Sequence, residues 1–291
     1  MKILMIGATG NFAKNIIPAL KKKDIVVKAI VRNKSKIEIA LQNGVDETVI
    51  ADLNNIDSLR NALQGVDGVF HINPVFDENE VDLALNMVKA AKEVNVEKIV
   101  FSSVYHPSLS LGNHASKRPV EEAIYESGLN FVILQPAMFM QTIETMWNVI
   151  SQTKKIGLPY SCSSKMSYVD YRDVAEVASI AFTTNRLDNG TFELASQGTY
   201  SREHIAQLLN RITGSGFEAV EIDFESFANA LGIPEGFQKD AMKAMFTHYN
   251  KYGFNGGNSL VLETILGRKP TSLETFFKDL LKRQQYKSTN I

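Results

Sequence analysis

The sequence has few of the features that mark secreted, membrane-bound or nucleic-acid-binding proteins. Cys162 is its single cysteine, so an internal disulfide is excluded and a reducing compartment is expected. The formal net charge of −1 provides no general attraction to nucleic acid or to an anionic membrane. No apolar run approaches the roughly 20 residues of a membrane-spanning helix, and we expect no signal peptide, because the first predicted strand begins at once. We therefore expect a cytoplasmic protein that binds neither nucleic acid directly nor a membrane.

Two catalytic classes also lack the residues that they need. The five histidines show no ligand spacing such as HxxxH, and Cys162 has no cysteine partner, so no metal site is expected. No GxSxG motif surrounds Ser102 or Ser103, which argues against a hydrolase.

The most informative stretch is the first dozen residues. An apolar run (ILMI) ends at Gly7, the turn GATG follows, and an amphipathic helical pattern begins near Phe12. Gly7 lets the chain turn sharply, and Gly10 lets backbone N–H groups approach a pyrophosphate next to a helix N-terminus. Ala13 is small enough for helix and strand to pack closely, so the motif is GxxGxxA. This pattern predicts the first βα unit of a dinucleotide-binding fold.

The second predicted strand, residues 25–31, ends at a basic residue. Arg32 stands where an NAD-preferring site would have an acidic residue for the ribose hydroxyls. Together with Lys36 it could hold a 2′-phosphate through charge-assisted hydrogen bonds. We therefore predict that NADP(H) is preferred over NAD(H), the alternative being a solvated basic turn.

Strand and helix patterns alternate from residue 2 to about residue 150. This alternation predicts an α/β fold, a Rossmann-type doubly wound parallel sheet, with a smaller α-rich C-terminal domain. Ligands of such sheets bind at the carboxyl ends of the strands, where Ser102 also lies. We assign residues 1–154 to the NAD(P)-binding domain, with its sheet completed by 171–197. Residues 155–170 and 198–291 form the smaller substrate-cleft domain.

Local patterns lead to further expectations about helix ends. Asp57 or Ser58 is expected to cap one helix, and Ser201 another. Residues 286–291 are expected to fray. Four large apolar side chains are expected to share one helix, either in the core or lining an adaptable pocket: Met138, Met140, Met146 and Trp147.

Taken together, the motifs resemble the NmrA-like family of atypical short-chain dehydrogenase/reductases, and within it the quinone and triphenylmethane reductases. The matching segments run in family order over nearly the whole chain. They are GATGNF at 7–12, VRN at 31–33, ADL at 51–53, K-x-x-VEEAI-x-x-SGL at 117–129, QPAMFM at 135–140, VDYRDVAEVA at 169–178 and GRKPTSLETF at 267–276.

The resemblance implies cofactor roles for residues at several places along the chain. The pyrophosphate would be held by Gly7, Ala8, Thr9, Gly10, Asn11 and Phe12, and the 2′-phosphate by Arg32 and Lys36. Adenine would be flanked by Asp52 and Leu53, and the ribose by Asn73, Pro74 and Val75. The nicotinamide end would lie near Lys117, Pro136, Ala137, Met138 and Phe139. Ser102, at the carboxyl end of its strand, is a further candidate for cofactor binding.

One residue departs from the superfamily pattern. Classical members use a YxxxK pair in which the tyrosine donates a proton, but here Asn113 stands four residues before Lys117. We expect Lys117 to position the nicotinamide ribose. Tyr105 and His114 are the candidate substitutes for the acid, the alternative being that they serve loop packing and the start of a helix.

The missing acid bears on the acceptor. A simple ketone becomes a strongly basic alkoxide on reduction, whereas a quinone becomes a phenolate-like oxygen with a pKa near about 10. We therefore predict an NAD(P)H-dependent oxidoreductase that passes hydride from NADPH to a quinone or similar conjugated small-molecule acceptor. Segments 224–237 and 244–252 are expected to form an apolar wall of its cleft. The alternative is an NmrA-type cofactor sensor that acts on a protein partner, and a homodimer is left open.

Overall fold

The computed structural model describes residues 1–289. Its strands are β1 (Lys2–Met5), β2 (Val26–Val31), β3 (Glu47–Ile50), β4 (Gly68–Ile72), β5 (Lys98–Ser102), β6 (Asn130–Pro136), β7 (Met138–Phe139), β8 (Lys155–Leu158), β9 (Met166–Val169), β10 (Gly190–Leu194), β11 (Thr199–Tyr200) and β12 (Glu218–Glu221).

The helices of the same residues alternate with the strands only in the first part of the chain, and four helices follow β12 in succession. The helices are α1 (Ala13–Lys21), α2 (Ile37–Gln42), α3 (Ile56–Ala62), α4 (Glu80–Glu93), α5 (Gly112–Ala115), α6 (Arg118–Tyr125), α7 (Gln141–Thr145), α8 (Trp147–Thr153), α9 (Tyr171–Thr183), α10 (Arg202–Thr213), α11 (Phe224–Ala230), α12 (Phe237–Tyr252), α13 (Leu260–Leu266) and α14 (Leu273–Thr289). A short 3-10 helix, Lys34–Lys36, precedes α2.

The central sheet has the order β3-β2-β1-β4-β5-β6-β10, and all of its strand pairs are parallel. At β1, Ile3 is in register with Val27 of β2 and with Gly68 of β4. The strand order reverses between β1 and β4, as in a doubly wound sheet. The predicted Rossmann-type fold class is confirmed.

Burial of the central strands shows why they read as continuous apolar runs. Every residue of β5 is buried, as expected for a parallel strand covered by helices on both faces. Helix α4 supplies part of one cover, because Leu83, Met87 and Ala91 recur at helical spacing and join the same core cluster as Ile99 and Phe101.

The chain divides into two compact units. The first comprises residues 1–136 and 171–194, and the second comprises 137–170 and 195–291. Strand β6 ends at Pro136, so residues 137–154, which we assigned to the first domain, fall in the second unit in this division. The second unit has a three-stranded sheet, β11-β9-β7, and the parallel pair β12-β8.

Local expectations had mixed outcomes. Ser201 caps α10 by accepting a hydrogen bond from the backbone N–H of His204, as predicted. The cap of α3 was predicted wrongly, since Asn55 accepts from the N–H of Ser58 at 2.9 Å. The single helix predicted for Met138, Met140, Met146 and Trp147 is also wrong, because this stretch is divided between β7, α7 and α8.

Absences can be stated for residues 1–289. None of their helices is both long and apolar enough to cross a membrane. No group of three or more His, Cys, Asp or Glu side chains among them is arranged to hold a metal ion. The backbone of residues 286–289, where fraying was expected, belongs to α14, and Asn290 and Ile291 lie outside the described residues.

Candidate functional site

A pocket of about 500 Å³ lies at the carboxyl ends of β1 to β4, within the first unit. The glycine loop and the start of α1 form one part of it, and the ends of β2, β3 and β4 form the rest. The predicted site residues that line it are Gly7, Thr9, Gly10, Phe12, Arg32, Lys36, Asp52, Leu53, Asn73 and Pro74.

The glycine loop is shaped by two close approaches. Gly7 has φ +87°, a conformation that side chains disfavour, and a Cβ on it would meet the Cβ of Ile72 at 3.2 Å. A Cβ on Gly10 would meet the carbonyl oxygen of Gly7 at 3.2 Å, the same oxygen that accepts the N–H of Gly10 at 2.9 Å. The loop therefore favours glycine at both positions, most strongly at Gly7, and presents backbone to the pocket.

The N-terminus of α1 faces the pocket without a side-chain cap. Phe12 is the N-cap residue, and the first turn carries no acidic side chain. The positive end of the helix is therefore not neutralised by its own sequence, which suits it to an anionic ligand.

Two basic side chains border the pocket at the end of β2. Arg32 directly follows the strand, Lys36 ends the short 3-10 helix, and both are exposed. Asp52, at the end of β3, uses Oδ1 to accept hydrogen bonds from the N–H of Asn54 at 2.9 Å and from its side-chain amide at 3.2 Å. The basic pair therefore remains available to a ligand phosphate.

A buried polar network follows β4. Asn73 accepts through Oδ1 from the ring Nε2–H of His71 and donates through Nδ2 to the carbonyl oxygen of Glu80 at 3.1 Å. Burial lowers the pKa of His71 to about 4. The imidazole is therefore neutral near pH 7, and the network ties the pocket residue Asn73 to the first turn of α4.

The same turn of α4 holds the predicted lysine. Nζ of Lys117 forms an ion pair with the carboxylate of Glu80, and each side chain is only 4% exposed. Burial lowers the pKa of Lys117 to about 8. The ammonium group is thus held by the carboxylate of Glu80. Glu80 follows Asn79 directly in sequence, and Asn79 lines the pocket.

The end of β5 is connected to the glycine loop by an aromatic pair. The ring centres of Phe12 and Tyr171 lie 5.1 Å apart. Burial raises the pKa of Tyr171 well above its ordinary value, and a hydrogen bond between this side chain and Ser102 opposes the shift. Ser102 therefore supports the wall behind Phe12.

The candidate acid Tyr105 is buried in the loop after β5. Its backbone N–H donates to the carbonyl oxygen of Pro136 at 3.0 Å, and its ring centre lies 4.0 Å from that of His106. Burial raises the pKa of the Tyr105 phenol. The phenol keeps its proton near neutrality, but the lysine that would assist a classical tyrosine is paired with Glu80 instead.

The sequence profile of the NmrA-like family matches residues 1–280. The chain belongs to the NmrA-like family. Two curated relatives are similar to it. NAD(P)H azoreductase of Xenophilus azovorans is 27% identical over 84% of this chain and 86% of that protein. Quinone oxidoreductase 2 of Escherichia coli (strain K12) is 24% identical over 93% of this chain and 96% of that protein.

Solved structures agree with this assignment. The triphenylmethane reductase of Citrobacter sp. superposes with a TM-score of 0.81 at 25% identity, covering 97% of this chain and 100% of that one. Its complex with NADP(H) superposes with a TM-score of 0.80 at 22% identity, covering 96% and 99%, and supports the fold alone.

Several site residues predicted for this NmrA-like chain do not line the pocket of the first unit. The predicted residues that belong to the first unit but do not line its pocket are Ala8, Asn11, Val75, Ser102, Tyr105, Lys117 and Pro136. Ala137, Met138 and Phe139 belong to the second unit, where β7 pairs in parallel with β9. Their cofactor roles stay predictions.

The structure adds pocket residues that the sequence analysis missed. Asp77, Asn79 and Leu83 lie in the β4–α4 loop and the first turns of α4, and Ile30 and Asn54 lie near the ends of β2 and β3. The position of a loop after a parallel strand is a signal that could have found the first three. Glu80 had no comparable signal, because its partner Lys117 is 37 residues away.

Proposed function

We propose that the protein is an NAD(P)H-dependent oxidoreductase that passes hydride from NADPH to a quinone or a similar conjugated small molecule. The observation that carries this proposal is the pocket at the ends of β1 to β4, with a glycine loop, an uncapped helix N-terminus and two basic side chains. The names of the relatives, an NAD(P)H azoreductase and a quinone oxidoreductase, support the same class of reaction.

The residues present suit a dinucleotide cofactor. The backbone of Gly7 and Gly10, together with the α1 N-terminus, would hold the pyrophosphate, and Asp52 and Leu53 would flank adenine. When bound, NADPH supplies the hydride. The protein's task is then to bind, orient and exclude water.

The preference for NADP(H) over NAD(H) is part of the proposal. Arg32 and Lys36 are the basic side chains at the end of β2, and a guanidinium can form bidentate hydrogen bonds with a phosphate. No acidic side chain occupies position 32, where ribose hydroxyls would otherwise be bound.

Lys117 is proposed to orient the nicotinamide ribose. Glu80 holds its ammonium group in a buried ion pair and thereby restricts where it can donate. Position 113 is asparagine, so the chain has no tyrosine in the usual place to protonate a reduced ketone. A quinone suits such a site, because its reduced oxygen is a weaker base and can take its proton from water.

The second unit is proposed to provide substrate contacts. Its α11 and α12 carry an aromatic cluster in which the ring of Phe246 lies 6.2 Å from that of Phe224 and 5.4 Å from that of Phe227. Such a cluster is a stable base for an apolar wall.

The test is NADPH oxidation, followed by absorbance across a panel of quinones, azo dyes and triphenylmethane dyes. We expect turnover with at least one conjugated acceptor and none with simple ketones. A pull-down with and without cofactor should run beside it. A lack of turnover on every acceptor, with a protein captured in one cofactor state only, would contradict the proposal and favour a sensor.

A further inference from the structure

The second unit contains a buried positive charge that forms no ion pair with a carboxylate in the described part of the chain. Arg202, in the first turn of α10, is 1% exposed. Its guanidinium carbon lies 4.3 Å from the ring centre of Tyr160, and Nη2 donates to the carbonyl oxygen of Tyr160. Among the residues that the structure describes, Nε and Nη1 have no hydrogen-bond partner. A buried charge is costly unless it is paired, so this arrangement calls for an anion.

The phenols around Arg202 do not supply that anion. Burial raises the pKa of Tyr160 and of Tyr168, so both hydroxyl groups are neutral near pH 7. Arg202 is the first residue of α10, whose N-terminus is already capped by Ser201, and the acidic residue of that turn, Glu203, is exposed. The field of the buried guanidinium itself therefore favours a negative charge that comes from another group.

Cys162 is the group in reach of this field. Its Sγ lies 3.5 Å from Nη2 of Arg202, and its carbonyl oxygen accepts from the backbone N–H of Glu203 at 3.4 Å. The cysteine is free and only partly buried, so small reagents can reach it. Reactive cysteines occur in such electropositive, partly exposed surroundings, beside arginine and helix N-termini.

We propose that Cys162 is a modification site, at which the sulfur beside the Arg202 guanidinium is oxidised by hydrogen peroxide to a sulfenate. The sulfur attacks one peroxide oxygen, so that an S–O bond forms and the O–O bond breaks. Sulfur loses two electrons, and the leaving hydroxide takes the thiol proton to become water. The sulfenic acid then releases its proton to solvent, and the oxygen of the resulting sulfenate is an anionic acceptor of the kind that the guanidinium lacks.

The test uses the full-length protein, dimedone as the sulfenate trap and intact-mass spectrometry. Because the chain has one cysteine, a single dimedone adduct identifies Cys162. Because the Arg202 guanidinium lies beside Sγ, we expect folded Cys162 to react about tenfold faster with peroxide than N-acetylcysteine does. Arg202→Met should reduce that rate to the level of the free thiol. The control Arg211→Met changes an exposed arginine of the same helix and should leave the rate unchanged.

A second comparison covers the case in which Arg202→Met does not fold. The wild-type protein is treated in buffer and again after unfolding in urea, with N-acetylcysteine in both solutions as the reference. Faster reaction in the folded state supports the proposal. If folded Cys162 reacts no faster than N-acetylcysteine, or if folded Arg202→Met reacts as fast as the wild type, the proposal is overturned.

Discussion

Lys117 and Glu80 form a buried ion pair in the first unit, with the ammonium and the carboxylate each on a side chain that is 4% exposed. The pair joins the residue before α6 to the first residue of α4, and the carbonyl oxygen of Glu80 accepts from Asn73 of the pocket. A ligand that moves Asn73 is therefore coupled to the orientation of Lys117.

The pair leads to a prediction about pH. Burial lowers the pKa of Lys117 to about 8, while the Glu80 carboxylate favours the charged form. As the pH rises through about 8, the amine loses its proton, so kcat/KM for NADPH should fall there. Glu80→Gln should lower the pKa of Lys117 further and move this decline to lower pH. Glu80→Asp keeps a carboxylate and should move the decline part of the way back toward the wild-type pH. Identical alkaline declines in the wild type and Glu80→Gln, measured for NADPH oxidation and for the NADPH Kd, would contradict this role.

The cofactor preference is tested at Arg32. A charge-assisted phosphate contact is worth about 1.5–3 kcal/mol, so Arg32→Ala should weaken NADPH binding roughly 10- to 100-fold. NADH binding should hardly change, because it lacks the 2′-phosphate. Lys34→Ala is the control. Lys34 is an exposed base in the short 3-10 helix that follows Arg32, and it does not line the pocket. Equal losses for both cofactors in titration calorimetry would show that Arg32 does not contact the phosphate.

The glycine loop offers a substitution with an internal control. Gly7→Ala places a Cβ 3.2 Å from that of Ile72 at φ +87°, and Gly65→Ala meets no atom within 4 Å at φ +70°. Both should lose about 1–2 kcal/mol of stability through backbone strain. Only Gly7→Ala should also weaken NADPH binding. Comparable NADPH Kd values for the two folded variants would refute the role of this loop.

His71 leads to a prediction about acid stability. The imidazole titrates near 6.5 when unfolded but has a pKa of about 4 in the folded protein, so its contribution to stability is complete above about pH 6.5 and is lost as the pH falls toward 4. His71→Gln keeps a donor for Asn73 and removes the titration. Between pH 7 and about pH 4, the wild type should lose on the order of 3 kcal/mol more unfolding free energy than this variant. If the unfolding free energies of the wild type and His71→Gln, measured by urea denaturation, fall in parallel as the pH is lowered, this role of His71 is contradicted.

Short-range patterns predicted the parts of the fold that depend on local sequence. The first βα unit and the strand ends at Arg32 and Asp52 follow from apolar periodicity and from glycine, and the pocket formed where those ends meet. Parallel strands bring their carboxyl ends together whatever lies between them, so this part of the site could be predicted without knowing the packing.

Features that depend on distant pairing could not be predicted in this way. Glu80 was not identified as a site residue, since nothing near it in sequence indicates Lys117. The orientation of Arg202 toward Cys162 likewise joins residues from separate elements. The helix predicted for Met138 to Trp147 failed because pairing of β7 with β9 overrides local helical spacing.

The most direct test of hydride transfer from NADPH to a quinone is an anaerobic single turnover. Protein preloaded with one equivalent of NADPH is mixed rapidly with a naphthoquinone, and the near-ultraviolet absorbance of the reduced nicotinamide is followed together with that of the quinone. We predict that bound NADPH is oxidised as an equal amount of quinone is reduced. We also predict that Glu80→Gln slows this step at alkaline pH more than at neutral pH. NADPH that stays bound and reduced after mixing with the quinone, and with the azo and triphenylmethane dyes in turn, would contradict the predicted hydride transfer.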